Sequence, residues 1–235
     1  MLILSLLIAL APVLFLIWYF NHRDKYEPEP KRRILGIFVL GAVMVIPAAL
    51  AELLLMNIVG RITGGLVYIL IISFLVIAPI EEILKFLAVR KWIYRSLEFN
   101  EIMDGIVYTV SASLGFAALE NILFVLPLGI STGVARAFLA VPGHACFGAL
   151  MGYYIGRAKF NPAKESRLMA KGIIYAILSH GLYDFLLLTR SSFSSFVILL
   201  LVALLLWIRI QLRKAEIDSR IRTAQTEGIE EGKQE

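Results

Sequence analysis

The sequence predicts an all-α, polytopic membrane helix bundle of about seven transmembrane helices, with the N-terminus outside and the C-terminus in the cytoplasm. Three observations predict it. Hydrophobic residues fill 59% of the 235 positions and mean hydropathy is +0.80, more apolar surface than a soluble domain of this length can hide. Those residues gather in seven runs, about 2–20, 34–56, 66–89, 103–126, 134–156, 172–189 and 193–211. Lysine and arginine concentrate in every second connection between the runs.

Each run has roughly 17–24 residues, the length a helix needs to cross about 30 Å of hydrocarbon. Open strands are excluded because lipid leaves their backbone groups unpaired. The first run lacks the leading positive charge of a signal peptide, since no lysine or arginine precedes Arg23. It reads as a retained helix. The connection after it carries Arg23, Lys25, Lys31, Arg32 and Arg33, and the stretch Tyr26-Glu27-Pro28-Glu29-Pro30 reads as a stiff linker. Arg90, Lys91 and Arg95 follow the third run. Arg157, Lys159, Lys164, Arg167 and Lys171 follow the fifth. The opposite connections offer Arg61 and Arg190, which gives the orientation by the positive-inside rule. Residues 1–212 are read as one integral-membrane domain and 213–235 as a charged cytoplasmic tail.

The net charge of +5 is this loop charge and does not indicate nucleic-acid binding. The single cysteine, Cys146, excludes an intramolecular disulfide and reads as a small core residue.

Six acid–base side chains stand inside the apolar runs: Glu81, Glu82, Glu120, His144, His180 and Asp184. A charged group at a helix centre costs about 2.5–3.5 kcal/mol on insertion scales, so six point to chemistry or ion movement. Glu81 and Lys85 are four apart and can pair, which leaves Glu82 to face a cavity, or the reverse. Asn121, beside Glu120, can donate to an oxyanion or clamp two helices. His180 and Asp184 share a helix face, so the carboxylate can fix the imidazole. Asp104 suits a helix cap. Glu52 and Arg136, near outer ends, suit snorkelling. Zinc held by Glu82, Glu120, His144 and His180 is the alternative to a site without a cofactor, although H-E-x-x-H is absent.

The pieces Glu81-Glu82 with Lys85, Asp104-Gly105-Ile106-Val107-Tyr108, Phe116 through Glu120-Asn121, His144, Met151-Gly152-Tyr153-Tyr154 and His180-Gly181-Leu182-Tyr183-Asp184 resemble the PrsW family of bacterial intramembrane proteases. That family is related to the CAAX-type prenyl-protein proteases. The resemblance runs from about residue 11 to 212. Relative to the wider superfamily, Glu120 and Asp184 replace a His and an Asn. It implies a multi-pass protease of the bacterial plasma membrane. Its substrate would be a single-span membrane protein such as an anti-sigma factor, cut at a first site outside the membrane to release a sigma factor under envelope stress. Glu81 or Glu82 would activate water, and His144, His180 and Asn121 would stabilise the oxyanion. Asp184 would orient His180, and Glu120 would tune the pair or pass the proton to the leaving amine. A proton- or ion-coupled transporter using the same residues as a relay is the rival class.

Overall fold

The computed structural model describes residues 2–231, with side chains for 3–191 and 194–224. Seven helical rods among them are long and apolar enough to cross a membrane, as the hydropathy runs predict. The described residues contain no strand. At most ends the rods outrun the apolar runs, but the sixth stops at Leu188 and the seventh begins only at Phe196. Four are single helices: α1 (Leu2–Arg23), α6 (Ile102–Leu128), α9 (Glu165–Leu188) and α10 (Phe196–Glu231). The other three are broken. α2 (Lys31–Val43) continues into α3 (Val45–Ile62) through Met44. α4 (Gly65–Ile71) passes through a π-helical segment, Ile72–Ile77, into α5 (Ala78–Trp92). α7 (Ile130–Phe138) meets α8 (Ala140–Lys159) at Leu139.

Each break stands just before a proline: Met44 before Pro47, the π-helical segment before Pro79, and Leu139 before Pro142. A proline has no N–H for the carbonyl four residues back, and its ring clashes there, so the preceding turn opens or kinks. Two of these prolines lie two or three residues ahead of Glu81-Glu82 and His144. The sequence therefore places its helix irregularities where its ionisable groups enter the bundle.

α6 and α8 form the centre and are buried along most of their length. Glycine lets them touch backbone to backbone. A Cβ on Gly105 would lie 2.5 Å from the Gly152 carbonyl oxygen, and one on Gly152 would lie 2.2 Å from that of Gly105. Without a hydrophobic drive between helices in lipid, such close approach is a main source of association. α6 begins with a capping box. The Asp104 carboxylate accepts from the Glu101 backbone N–H at 2.6 Å while Glu101 caps the first turn. Asp104 is the cap its position in the sequence predicts. Leu50, Leu53, Leu54 and Leu199 are among the apolar side chains on the outer surface, as a lipid-facing ring requires.

Candidate active site

α5 turns Glu81, Glu82 and Lys85 inward, with at most 4% of any of them exposed. Lys85 Nζ donates to Glu81 Oε2 at 2.9 Å, to Glu82 Oε1 at 2.8 Å and to His144 Nδ1 at 3.0 Å. Those three acceptors use all three ammonium hydrogens. The ammonium also stands 4.4 Å from the centre of the Phe116 ring. Because His144 Nδ1 accepts, the tautomer assigned from this network carries its hydrogen on Nε2 and donates to Glu120 Oε2 at 2.8 Å. His180 repeats the arrangement. Its Nδ1 lies 2.8 Å from Glu82 Oε1 and its Nε2 lies 3.4 Å from Asp184 Oδ2. Each imidazole thus turns Nδ1 to the glutamate pair and Nε2 to an outer carboxylate. The His180 ring stacks on Phe147, with centroids 4.8 Å apart, which fixes its plane.

These groups stand on the wall of a cavity of about 610 Å³. Glu52, Glu81, Glu120, Arg136, His144, His180 and Asp184 supply the polar lining, within an apolar rim that includes Leu53, Ile72, Leu123 and Leu187. Glu82 and Lys85 lie behind it, with no surface exposed.

All six in-span acid–base residues of the sequence meet here, although ideal helices would set Glu81 and Glu82 at a different depth from Glu120 and Asp184. Three expectations change. Lys85 pairs with both glutamates, so neither is left over, and it is Glu81 rather than the more buried Glu82 that faces the cavity. Asn121 does not face the site as an oxyanion donor. Its Oδ1 accepts from Arg136 Nε at 2.7 Å and its Nδ2 donates to the Ala9 carbonyl at 3.1 Å, so it is the interhelical clamp. Arg136 and Glu52 do not snorkel. Arg136 forms an ion pair with Glu120 at 2.8 Å, and Glu52 lines the cavity with one oxygen, Oε1, buried and unpartnered among the described residues. The only sign of this in the sequence is their charge, since the kink at Leu139 brings Arg136 round to Glu120.

The donor set suits a divalent metal. Donor atoms of Glu81, Glu82 and His144 lie within 4.8 Å of one another. Glu82 Oε2 is buried without a hydrogen-bond partner among the described residues. An imidazole with one nitrogen inward and the other on a carboxylate is the usual state of a metal-bound histidine. Five carboxylates, Glu52, Glu81, Glu82, Glu120 and Asp184, face the two cations Lys85 and Arg136. In this structure the Lys85 ammonium is the cation among the three inner donors.

A second cavity, of about 430 Å³, lies between α1, α8 and α10. Cys146 on its wall is 1% exposed, a core residue as its apolar surroundings predict.

Residues 29–210 match the model of a family described as PrsW family intramembrane metalloprotease. The chain is 37% identical over 198 residues to the Protease PrsW of Geobacillus kaustophilus, covering 83% of this chain and 85% of that one. It is 39% identical over 209 residues to the protein of the same name from Oceanobacillus iheyensis, covering 87% and 92%. For that of Bacillus subtilis the figures are 37% over 185 residues, 78% and 83%. No solved structure is a significant match. Nothing in these matches supports the transporter alternative.

Proposed function

Because the chain belongs to the PrsW family of intramembrane metalloproteases, we propose that the cavity beside Glu81 is where it hydrolyses the peptide chain of a single-span membrane protein. The enzyme class is that of a membrane-embedded protease, and the location is the bacterial cell membrane. The observation that carries the reading is the double bracket round the glutamates. Two imidazoles, each backed by a carboxylate, converge with Lys85 on Glu81 and Glu82 at the wall of a cavity.

Glu81 faces the cavity, takes a proton from the attacking water and returns it to the leaving amine as the C–N bond breaks. Lys85 holds both Glu81 and Glu82 in place. Glu82, locked by Lys85 and His180, acts as the fixed charge behind the base. His144 and His180 line the same space, where charge develops on the scissile carbonyl oxygen, and the His144 Nε2–H now donated to Glu120 can be drawn towards it. Glu120, held by Arg136, fixes the His144 tautomer, and Asp184 fixes the His180 ring. Glu81, Glu82 and His144, whose donor atoms lie within 4.8 Å of one another, would hold a zinc ion. A zinc ion there would supply Lewis acidity to the water and the carbonyl. The substrate is a membrane-anchored anti-sigma factor, cut at a first site outside the membrane, so that a sigma factor is released under envelope stress. With the N-terminus outside and the C-terminus in the cytoplasm, the basic connections lie on the inner face.

Co-expression with candidate single-span anti-sigma factors, followed by blotting for substrate size, tests this. Truncation with the wild type and none with Glu81→Gln plus Glu82→Gln is expected. Equal truncation with both would move catalysis elsewhere.

A further inference from the structure

A second acidic group lies at the other end of α6, sixteen residues or about 24 Å from Glu120. It joins Asp24, just after α1, to Glu29 in the linker and to Glu101 and Asp104 at the start of α6. Asp24 is 3% exposed, Glu29 8%, Glu101 2% and Asp104 0%. Oxygens of Asp24, Glu101 and Asp104 all lie within 4.8 Å of one another. No lysine or arginine among the described residues forms an ion pair with any of the four. Arg222 and Lys159 act on Glu101 and Asp104 only as more distant charges.

Two of these carboxylates, Asp104 and Glu101, have one oxygen held and the other free, while the Glu29 carboxyl is hydrogen-bonded to that of Asp104. Asp104 Oδ2 accepts from the Asn100 and Glu101 backbone N–H groups at 2.7 and 2.6 Å, while Oδ1 has no partner among the described residues. Glu101 Oε2 accepts from the Ser219 hydroxyl of α10, and Oε1 is free. Glu29 Oε2 accepts from the Tyr108 hydroxyl. Asp24 is the sharpest case. Both of its oxygens are buried and unpartnered among the described residues, and one of them lies within 4.8 Å of oxygens of Glu101 and Asp104. The Glu29 backbone N–H points towards it without closing a bond of normal geometry. Unpaired buried carboxylates are too costly to stay charged without a cation. Held outer oxygens with free inner ones are how proteins prepare carboxylates for a metal.

We propose that Asp24, Glu101 and Asp104, completed by Glu29, bind a hard divalent cation of the magnesium or calcium class. An all-oxygen carboxylate set selects that class over zinc or copper. The ion ties the end of α1 and the linker to the start of α6 and, through Glu101 and Ser219, to α10. It is a structural site, separate from the chemistry at Glu81. Without the ion, burial and mutual repulsion hold protons on these groups. They push Asp24 up to about 7 and Glu29 up to about 9, and they raise Glu101.

Terbium luminescence of the purified full-length protein in detergent tests the site, with Tyr108, bonded to Glu29, as the light-absorbing donor. Saturable emission that magnesium or calcium displaces is expected. Asp24→Asn, which removes no hydrogen bond of normal geometry, should weaken terbium affinity by roughly tenfold or more, and so should Glu101→Gln. The Glu81→Gln plus Glu82→Gln protein should keep the signal. Magnesium should raise the unfolding temperature of the wild type but not of Asp24→Asn. Emission that is absent, that resists displacement, that survives in both single variants, or that vanishes in the Glu81, Glu82 double variant would overturn the proposal.

Discussion

Lys85 decides the state of the glutamate pair, because its ammonium bonds both carboxylates and the His144 ring in a pocket without solvent. Removing one partner of a buried ionic cluster costs about 3–5 kcal/mol, since the remaining charges are left uncompensated. Lys85→Ala should therefore lower stability by about that much and abolish cleavage, read by denaturant unfolding in micelles and by substrate blots. Unchanged unfolding would show that the glutamates do not depend on it. Asn121→Ala should act indirectly. It frees Arg136 Nε, loosens the Arg136–Glu120 pair and reduces cleavage less than Glu81→Gln does. Lys85 was legible in the sequence from its spacing to Glu81. Arg136 was not, because its contact with Glu120 depends on the kink at Leu139 and no local pattern encodes it.

The broken helices explain how residues of apparently different depth meet. The π-helical segment before Pro79 changes the rotation of everything that follows by part of a turn, so it sets the direction in which Glu81 and Glu82 point. Pro79→Ala restores an N–H and favours a regular helix. The expected result is a protein that still inserts but cleaves about 10²-fold more slowly, the scale of a misplaced catalytic group. Insertion can be followed by membrane fractionation and cleavage by substrate turnover. A variant with wild-type turnover would remove the break from the account. The seven spans were legible because hydropathy over some twenty residues is a strong signal. The prolines were visible too, but sequence does not say whether a proline kinks, widens or merely caps a helix. The acidic group round Asp24 has no local signature in the sequence, because its members come from an extended linker, a helix end and a cap, each ordinary alone.

For the whole molecule, the two acidic centres give opposite ends of the bundle different sensitivities. Asp24 and Glu29 hold protons more tightly folded than unfolded, with values of about 7 and about 9 against the ordinary 3.8 and 4.5. Their contribution to stability is therefore present at low pH and lost as pH rises through those folded values. In chelator, thermal stability should fall between about pH 4 and pH 9, and magnesium should flatten the fall. A chelator profile that rises with pH over that window would contradict this. In the proposed mechanism Glu81, on the cavity wall, is the base. The direct measurement is cleavage of a co-expressed single-span substrate by the wild type, by Glu81→Gln and by Glu81→Asp. Glu81→Gln should lose about 10²–10⁴-fold in rate, with partial activity in Glu81→Asp. Glu81→Gln cutting at the wild-type rate would contradict it.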